Sequence, residues 1–394
     1  MSKLAIVGAS GLVGRNLLEQ LQKREFKVDE IFLLGKKSAG STVNFLGKDC
    51  TVEDIDNFDF TRPDYVILSA GSDVARDYAN KFIEANCKVL DMSSYFRYED
   101  NVPLVIPEIN GNIISKKTNL IANPNCSTAQ LLMILDHIHK EFSIASVMIT
   151  TFQAVSGAGE QGIKELEDQS QSTSSESNVF SKTIAGNVIP QCDKFLDNGF
   201  TKEEMKLDWE TKKILDKKIH VTSTCVRVPV INGHSESVFI KVRNEASRSR
   251  IIKLLGSKEG IKVIDDPSKE SFPTALDNAN KTSDVYVGRI RSSKINNEDW
   301  FCGKQSTKEL KNLINNRKVE CIVNDIDRYK RYVAICSVND IIINQWMVRN
   351  GWAIAYRYYS KDYIVDEEYA HDNKLGIWKS EFVEPYTFRR QNKN

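Results

Sequence analysis

No apolar run in this chain approaches the roughly 20 residues that a bilayer crossing requires, so no membrane span and no membrane partner are expected. An excess of one charge is missing as well. Lys and Arg number 54 against 53 for Asp and Glu, a formal net of +1, so no global pull toward nucleic acid follows. A disulfide framework is also absent from the first part, where Cys50, Cys87, Cys126, Cys192 and Cys225 are scattered as free thiols would be. The opening residues read as a strand entering a turn and not as a signal peptide, which makes a cytoplasmic location the expectation. Tryptophan is scarce before residue 292, where Trp209 stands alone, and no internal repeat is visible.

What is present is a chain of 394 residues, enough for two or three domains with their own cores. Residues 3–8 form an apolar strand, 8–14 a glycine-rich turn, and 12–24 an amphipathic helix. Strands at 30–34, 65–69 and 88–91 alternate with helical stretches such as 74–84, the pattern of an α/β fold with a parallel sheet. From about 145 the strands lengthen, at 145–153, 219–230 and 236–243, with Asn232-Gly233 as turn residues between the last two. That change suggests a second domain on a more open sheet. Residues 169–178, rich in Ser, Gln and Glu, read as an exposed loop without chemistry. A third region begins near 292, where tryptophan and tyrosine become frequent.

Gly8, Gly11 and Gly14 lie between a strand and a helix, where glycine lets backbone approach a pyrophosphate seated on the helix N-terminus. The second strand runs into Gly35-Lys36-Lys37-Ser38 and lacks the acidic residue that selects a ribose 2′-hydroxyl. Positive charge there suits the 2′-phosphate of NADP, the alternative being lysines that only solvate a turn. Farther on, Asn123-Pro124-Asn125-Cys126-Ser127-Thr128 precedes an amphipathic helix. Unpaired N–H groups at a helix start favour thiolate, so Cys126 is a candidate nucleophile, although a lone cysteine also serves as a small buried hydrophobe. Glu203 and Lys206, three apart on a helix, read either as a solvated ion pair or as site residues. The 232–233 turn would bring Arg227, a fixed cation, to a strand near His234, which titrates close to neutrality.

Together these stretches resemble the aspartate-semialdehyde dehydrogenase family. The matching segments are 8–14, Asp91-Met92-Ser93-Ser94-Tyr95-Phe96-Arg97, 102–110, 123–128, 151–159, 203–206, 225–236 and 285–291, in the family's order. The resemblance implies a Rossmann-type NADP-binding domain over 1–126, an α+β catalytic and dimerisation domain over 127–291, and a homodimer. It implies NADPH-dependent reduction of L-aspartyl-4-phosphate to the semialdehyde through a thioacyl on Cys126, with His234 as acid and base and Gln153 orienting the intermediate. Arg227 would hold the substrate carboxylate and Glu203 its amino group, with Arg97, Asn125 and Lys206 completing the substrate site. Cofactor contacts would run through Gly8, Ser10, Gly11, Leu12, Val13, Gly14, Lys37, Ser38, Ser69, Ala70, Gly71, Ser156 and Gly157. A related semialdehyde-forming family, the N-acetyl-glutamyl-phosphate reductases, uses similar cysteine chemistry. No metal is implied.

Beyond residue 291 the family's last cofactor segment has no match. Instead, about 300–390 resembles part of a thermonuclease-like domain, through Trp300-Phe301-Cys302-Gly303, residues 327–336, 344–360 and Gly376-Ile377-Trp378. Thus an incomplete OB-like fragment over 292–394 is expected, with unpaired sheet edges, without the catalytic acids, and with Cys302, Cys321 and Cys336 reduced. Two other readings compete with the enzyme. One is an inactive gene fusion. The other is nucleic-acid binding through Arg328, Lys330, Arg331, Arg349 and Arg357, although no nucleic-acid partner is expected.

Overall fold

A computed structural model describes residues 2–171, 176–278, 283–292, 302–327, 330–357 and 360–379, apart from the side chains of Cys302 and Lys304. The chain divides into two compact units, Met1–Ser292 and Ser293–Asn394.

The first unit opens with β1 (Lys3–Val7), α1 (Leu12–Lys23), β2 (Glu30–Gly35), a hairpin of β3 (Thr42–Phe45) and β4 (Lys48–Thr51), and β5 (Glu53–Asp54). It continues with β6 (Tyr65–Leu68), α2 (Ser72–Glu84), β7 (Lys88–Asp91), α3 (Pro107–Asn110) and β8 (Leu120–Ala122). Apart from the hairpin these strands form one sheet in the order β5-β2-β1-β6-β7-β8. All of its pairings are parallel. Strands buried on both faces read as short apolar runs, which is why Leu4 to Val7 and Phe32 to Leu34 were legible.

Alternation within each strand separates two packed layers. Val66, Leu68 and Val89 meet Ala75, Tyr78, Ala79 and Phe82 of α2. On the other face Leu4, Ile6 and Leu33 pack with Leu18 of α1 and with the hairpin. That second face is covered unevenly. Ile6 pairs in register with Ile67, Ile67 with Leu90, and Leu90 with Ile121. Ile6 is buried, whereas Ile67, Leu90 and Ile121 are half-exposed along the same row.

The second half of the unit is built from α4 (Cys126–Phe142), β9 (Ile144–Gln153), α5 (Gly159–Ser170), α6 (Lys202–Ile214), β10 (His220–Arg227) and β11 (Ser235–Val242). Its main sheet has the order β10-β9-β11. The residues Asn232-Gly233 therefore do not close a hairpin. β10 runs parallel to β9 and β11 antiparallel to it, so the two strands flank β9 from opposite sides. One face packs on α4 and α6 through Leu131, Leu132, Leu135, Ile149 and Leu207. The other leaves Met148, Phe152 and Phe239 exposed.

The 169–178 stretch is less open than its composition suggests. Gln169 is buried and accepts from the Ile184 and Ala185 N–H groups, while Glu165 accepts from Asn178 and Val179. Polar side chains here satisfy backbone inside the fold. Residues 172–175 lie outside the described part.

In the second unit, strands Glu320–Ile326, Tyr332–Val338 and Ile341–Ile342 form an antiparallel sheet in that order. Helices Cys302–Ile314, Ile343–Arg349 and Ile364–Asp372 accompany it. Contrary to the expectation of reduced thiols, Cys321 and Cys336 form a disulfide. The two residues stand directly opposite each other in the ladder, which brings their side chains within bonding range.

Candidate functional site

The nucleotide end is built from backbone. Gly11 caps α1 without any side-chain bond, and Gly71 does the same for α2, leaving first-turn N–H groups to face a ligand. Gly8 has φ +87°, and a Cβ there would lie 2.9 Å from that of Ala70. At Gly14 a Cβ would come within 2.2 Å of the Gly8 carbonyl oxygen, so α1 seats on β1 only without a side chain. Ser69 fixes the β6 turn by donating both N–H and hydroxyl to the Val7 carbonyl. Ser10 lies in the turn before α1, and Leu12 and Val13 begin the helix, with Val13 exposed.

At the end of β2 the two lysines differ. Lys36 pairs with Asp56 at 3.0 Å, whereas Lys37 is exposed and has no ion pair among the described residues. Asp56 arrives on the β5 side of the sheet and escaped sequence reading because it follows Lys36 by twenty residues. Ser38 sits against Gly35, where a Cβ would lie 2.3 Å from its Oγ. Uncapped helix starts, close glycine packing and an unpaired lysine fit NADP.

At the other end Cys126 opens α4. Asn125 caps that helix, its Oδ1 accepting from Ser127 N at 2.9 Å and Thr128 N at 3.3 Å. Cys126 keeps accessible surface on an open edge while protein crowds it elsewhere. Burial, and next the Glu203 carboxylate, push its thiol up to about 11, against the lowering effects of Ser127 N–H, Arg97 and Lys206. The helix start therefore favours thiolate but is outweighed. Gln153, at the end of β9, is buried and donates from Nε2 to Ser127 Oγ at 2.8 Å and to Glu203 Oε1 at 2.9 Å. Its Oε1 has no partner among the described residues.

β10 and β11 bring Arg227 and His234 to that same strand end. Arg227 donates to the Ala154 carbonyl at 2.6 Å, and its buried Nε lacks a partner among the described residues. His234 Nδ1 accepts from Ala154 N at 3.0 Å. Both side chains converge over Gly157, where a Cβ would lie 2.9 Å from Arg227 and 3.2 Å from His234. Burial, then the Arg227 charge, pull His234 down to about 4. Its ring is thus neutral near pH 7, and the Ala154 bond places the proton on Nε2. Ser156 of the same turn donates its N–H to the Ile231 carbonyl.

Glu203 and Lys206 are not a solvated pair. Both are buried on the inner stripe of α6, and Glu203 also accepts from Asn125 Nδ2 at 2.9 Å. Lys206 reaches Glu203 and Asp193, each at 2.8 Å. Burial raises Glu203, but Lys206, Gln153 and Asn125 together hold its carboxyl below the usual range. Arg97 is buried too, donating to Asn123 O at 2.8 Å, Met92 O at 3.2 Å and Glu210 at 3.2 Å. Sequence reading missed Glu210 and Asp193. The signal for Glu210 was its spacing of seven from Glu203, the repeat of a helix face.

The second unit offers less. Arg331 bonds Asp327, Arg349 bonds Asp366, and Arg357 bonds Glu367, so those guanidinium groups are engaged with carboxylates. Arg328 and Trp300 fall outside the described residues. No group of His, Cys, Asp and Glu suited to a metal occurs among the described residues, and no helix there is long and apolar enough to cross a membrane.

Comparison with known proteins places these features. Residues 3–117 match the NAD binding domain of semialdehyde dehydrogenases and 135–302 their dimerisation domain. Residues 264–380 match staphylococcal nuclease homologues, beginning farther upstream than the motifs near 300. An aspartate-semialdehyde dehydrogenase of Shewanella violacea is 44% identical over 296 residues, covering 73% of this chain and 87% of that protein. The crystal structure of aspartate semialdehyde dehydrogenase II from Vibrio cholerae complexed with ASA superposes with a TM-score of 0.72 at 42% identity, covering 74% of this chain and 89% of that one. A Candida albicans aspartate semialdehyde dehydrogenase with NADP gives 0.58 at 26% identity, covering 74% and 90%. The chain belongs to the aspartate-semialdehyde dehydrogenase family, with a nuclease-homologue segment at its C-terminal end.

Proposed function

We infer that the first unit carries out the NADP-dependent interconversion of L-aspartyl-4-phosphate and L-aspartate 4-semialdehyde, with Cys126 as nucleophile. The observation that carries this reading is the convergence of β9, β10 and β11 on one point. There Gln153, Arg227 and His234 gather beside the helix that begins at Cys126.

The uncapped starts of α1 and α2, with Lys37 and Ser38 toward the 2′-phosphate, would hold NADP, which would supply or accept hydride. The chain's own groups do the rest. Cys126 Sγ bonds the acyl carbon as the carbon–oxygen bond to phosphate breaks, its proton passing to the departing phosphate; once that carbon has gained hydride, the carbon–sulfur bond breaks, releasing the aldehyde and returning the electron pair to sulfur. A thiol near 11 is largely protonated at neutral pH, so attack and proton loss are coupled. Neutral His234, with its proton on Nε2, donates a hydrogen bond to the acyl oxygen in the resting tautomer. Full proton donation requires the imidazolium, which an anionic substrate favours by offsetting the Arg227 charge that adds to burial in holding the ring near 4. The unpartnered Arg227 Nε and Gln153 Oε1 suit the substrate's carboxylate and its amino or acyl end. Glu203 supports the amino group, while Arg97 and Lys206 supply positive charge for the phosphate.

The division 1–126, 127–291 and 292–394 accounts for this arrangement, because Cys126 stands at the junction of the two parts that build the site. Assembly as a homodimer through the second domain is supported by the apolar residues Met148, Phe152 and Phe239 on the outer face of its sheet.

The test is phosphate-dependent reduction of NADP by the full chain with aspartate semialdehyde, run beside Cys126→Ala and beside N-acetylglutamate semialdehyde. Activity with the first substrate, abolished by the substitution, supports the reading. No activity where an intact relative works would overturn it. Preference for the acetylated substrate would move the chain to the related reductase chemistry.

A further inference from the structure

The residue that precedes the nucleophile is held by α6 at more points than its capping role requires. Asn125 gives its side-chain amide to Glu203 at 2.9 Å and its backbone N–H to Glu210 Oε2 at 2.7 Å. Its Oδ1 meanwhile caps α4. The two carboxylates stand seven residues apart on one stripe of α6, with Leu207 buried between them. Seven residues amount to about two turns and about 10 Å along the axis. Glu203 faces the substrate side. Glu210 is fully buried and touches no open surface.

Glu210 has a second set of partners. Its Oε1 accepts from Arg97 at 3.2 Å and from the Tyr98 hydroxyl at 3.4 Å. Arg97 in turn donates Nε–H to the Asn123 carbonyl at 2.8 Å. The segment Asn123-Pro124-Asn125-Cys126 is therefore clamped twice by one ion pair. Arg97 grips the carbonyl at its start, and Glu210 grips the N–H just ahead of the thiol. Burial raises the proton affinity of Glu210 above the usual carboxylate range, and Arg97 and the Asn125 N–H offset part of that cost.

We propose that Glu210 is a positioning residue: through Asn125 and Arg97 it fixes the approach of Cys126 and the aim of the phosphate-binding guanidinium, without touching substrate. Its carboxylate also faces the charge of Arg97, a group that lowers the thiol's proton affinity. Removing that negative charge while keeping the side chain's shape has two opposed effects. The thiol becomes more readily ionised. Its geometry becomes worse.

The inference rests on the proposed dehydrogenase reading for its activity measurements alone. The experiment takes Glu210→Gln and Glu210→Asp in the full chain. It measures the pH dependence of Cys126 alkylation by iodoacetamide, then kcat and the KM for phosphate, and finally the melting temperature. For Glu210→Gln the alkylation midpoint falls by at least half a pH unit while kcat falls at least tenfold and the KM for phosphate rises. A merely structural role does not make a thiol more reactive and its enzyme slower. If Glu210→Gln fails to fold, Glu210→Asp decides. It keeps the charge but withdraws the carboxylate by one methylene, so kcat falls at least fivefold with the alkylation midpoint unchanged. Wild-type values for every folded variant in both measurements would overturn the proposal. A wild-type chain without dehydrogenase activity would sink the functional reading instead, and alkylation, which needs no substrate, would still decide the role of Glu210.

Discussion

The two units of this chain both bury partnered charged side chains but differ in how fully their sheets cover apolar ones. In the first, charged side chains go inside and are partnered there, as Arg97, Glu203, Lys206 and Glu210 are. In the second, Asp366 and Glu367 are likewise buried and paired, but apolar side chains of the sheet remain outside. Strand Glu320–Ile326 is exposed at every position, with Ile322 at 72% and Ile326 at 56%, and its neighbour exposes Tyr332 at 73%. The first condition needs a complete shell of neighbours. The second is what a sheet shows when nothing is packed over it among the described residues. Between these extremes lies the half-exposed row of Ile67, Leu90 and Ile121 on the parallel sheet of the first unit.

That contrast can be broken or sharpened by experiment. The largest effect concerns Cys126. With its thiol near 11 and the acid form neutral, the reactive anion is scarce below that value and grows tenfold per pH unit. Alkylation should accelerate about 10³-fold between pH 7 and pH 10. A plateau reached by pH 8 would show that the helix start outweighs burial and Glu203 after all.

Next, His234→Asn should lower kcat about 10²-fold with little change in melting temperature if the ring donates to the reacting oxygen as proposed. A loss of stability matching the loss of rate would assign the ring to packing instead. Third, reducing Cys321–Cys336, which lie 15 residues apart, should destabilise the second unit by about 3 kcal/mol. Hydrogen exchange should quicken in Glu320–Ile326 and Tyr332–Val338 and stay unchanged in β1 and β6. The smallest effect is that of Gly14→Ala. Its Cβ would press on the Gly8 carbonyl at 2.2 Å and so shift α1, costing about 1–3 kcal/mol in melting experiments and weakening NADP affinity.

Most of the parallel sheet was legible because strands buried on both faces are short apolar runs between glycine turns. The order of the second sheet was not. Asn232-Gly233 looks like a hairpin turn in one dimension, and only the insertion of β9 between β10 and β11 shows otherwise. Of the site, residues at turns and helix starts announced themselves, Cys126 through its Asn-Pro-Asn approach and Gly8 through its spacing. Lys206 and Glu203 were legible as a pair but not as a buried one, because a charged i,i+3 pair looks alike on either face of a helix. Glu210 and Asp56 were silent for a related reason: their partners, Arg97 and Lys36, are remote in sequence. The disulfide was misjudged because compartment arguments say nothing about ladder register.

Helix α6 has a consequence for how the protein tolerates change. A single-codon insertion between Glu203 and Glu210 would turn one carboxylate about 100° away from the other, so that no rotation of the helix could restore both grips on Asn125. The same insertion a few residues earlier, in the turn before Thr201, would leave their phase intact. Mutational robustness in this family member therefore changes abruptly at the capping box of Thr201 and Glu204, where a loop that can absorb length meets a helix that cannot.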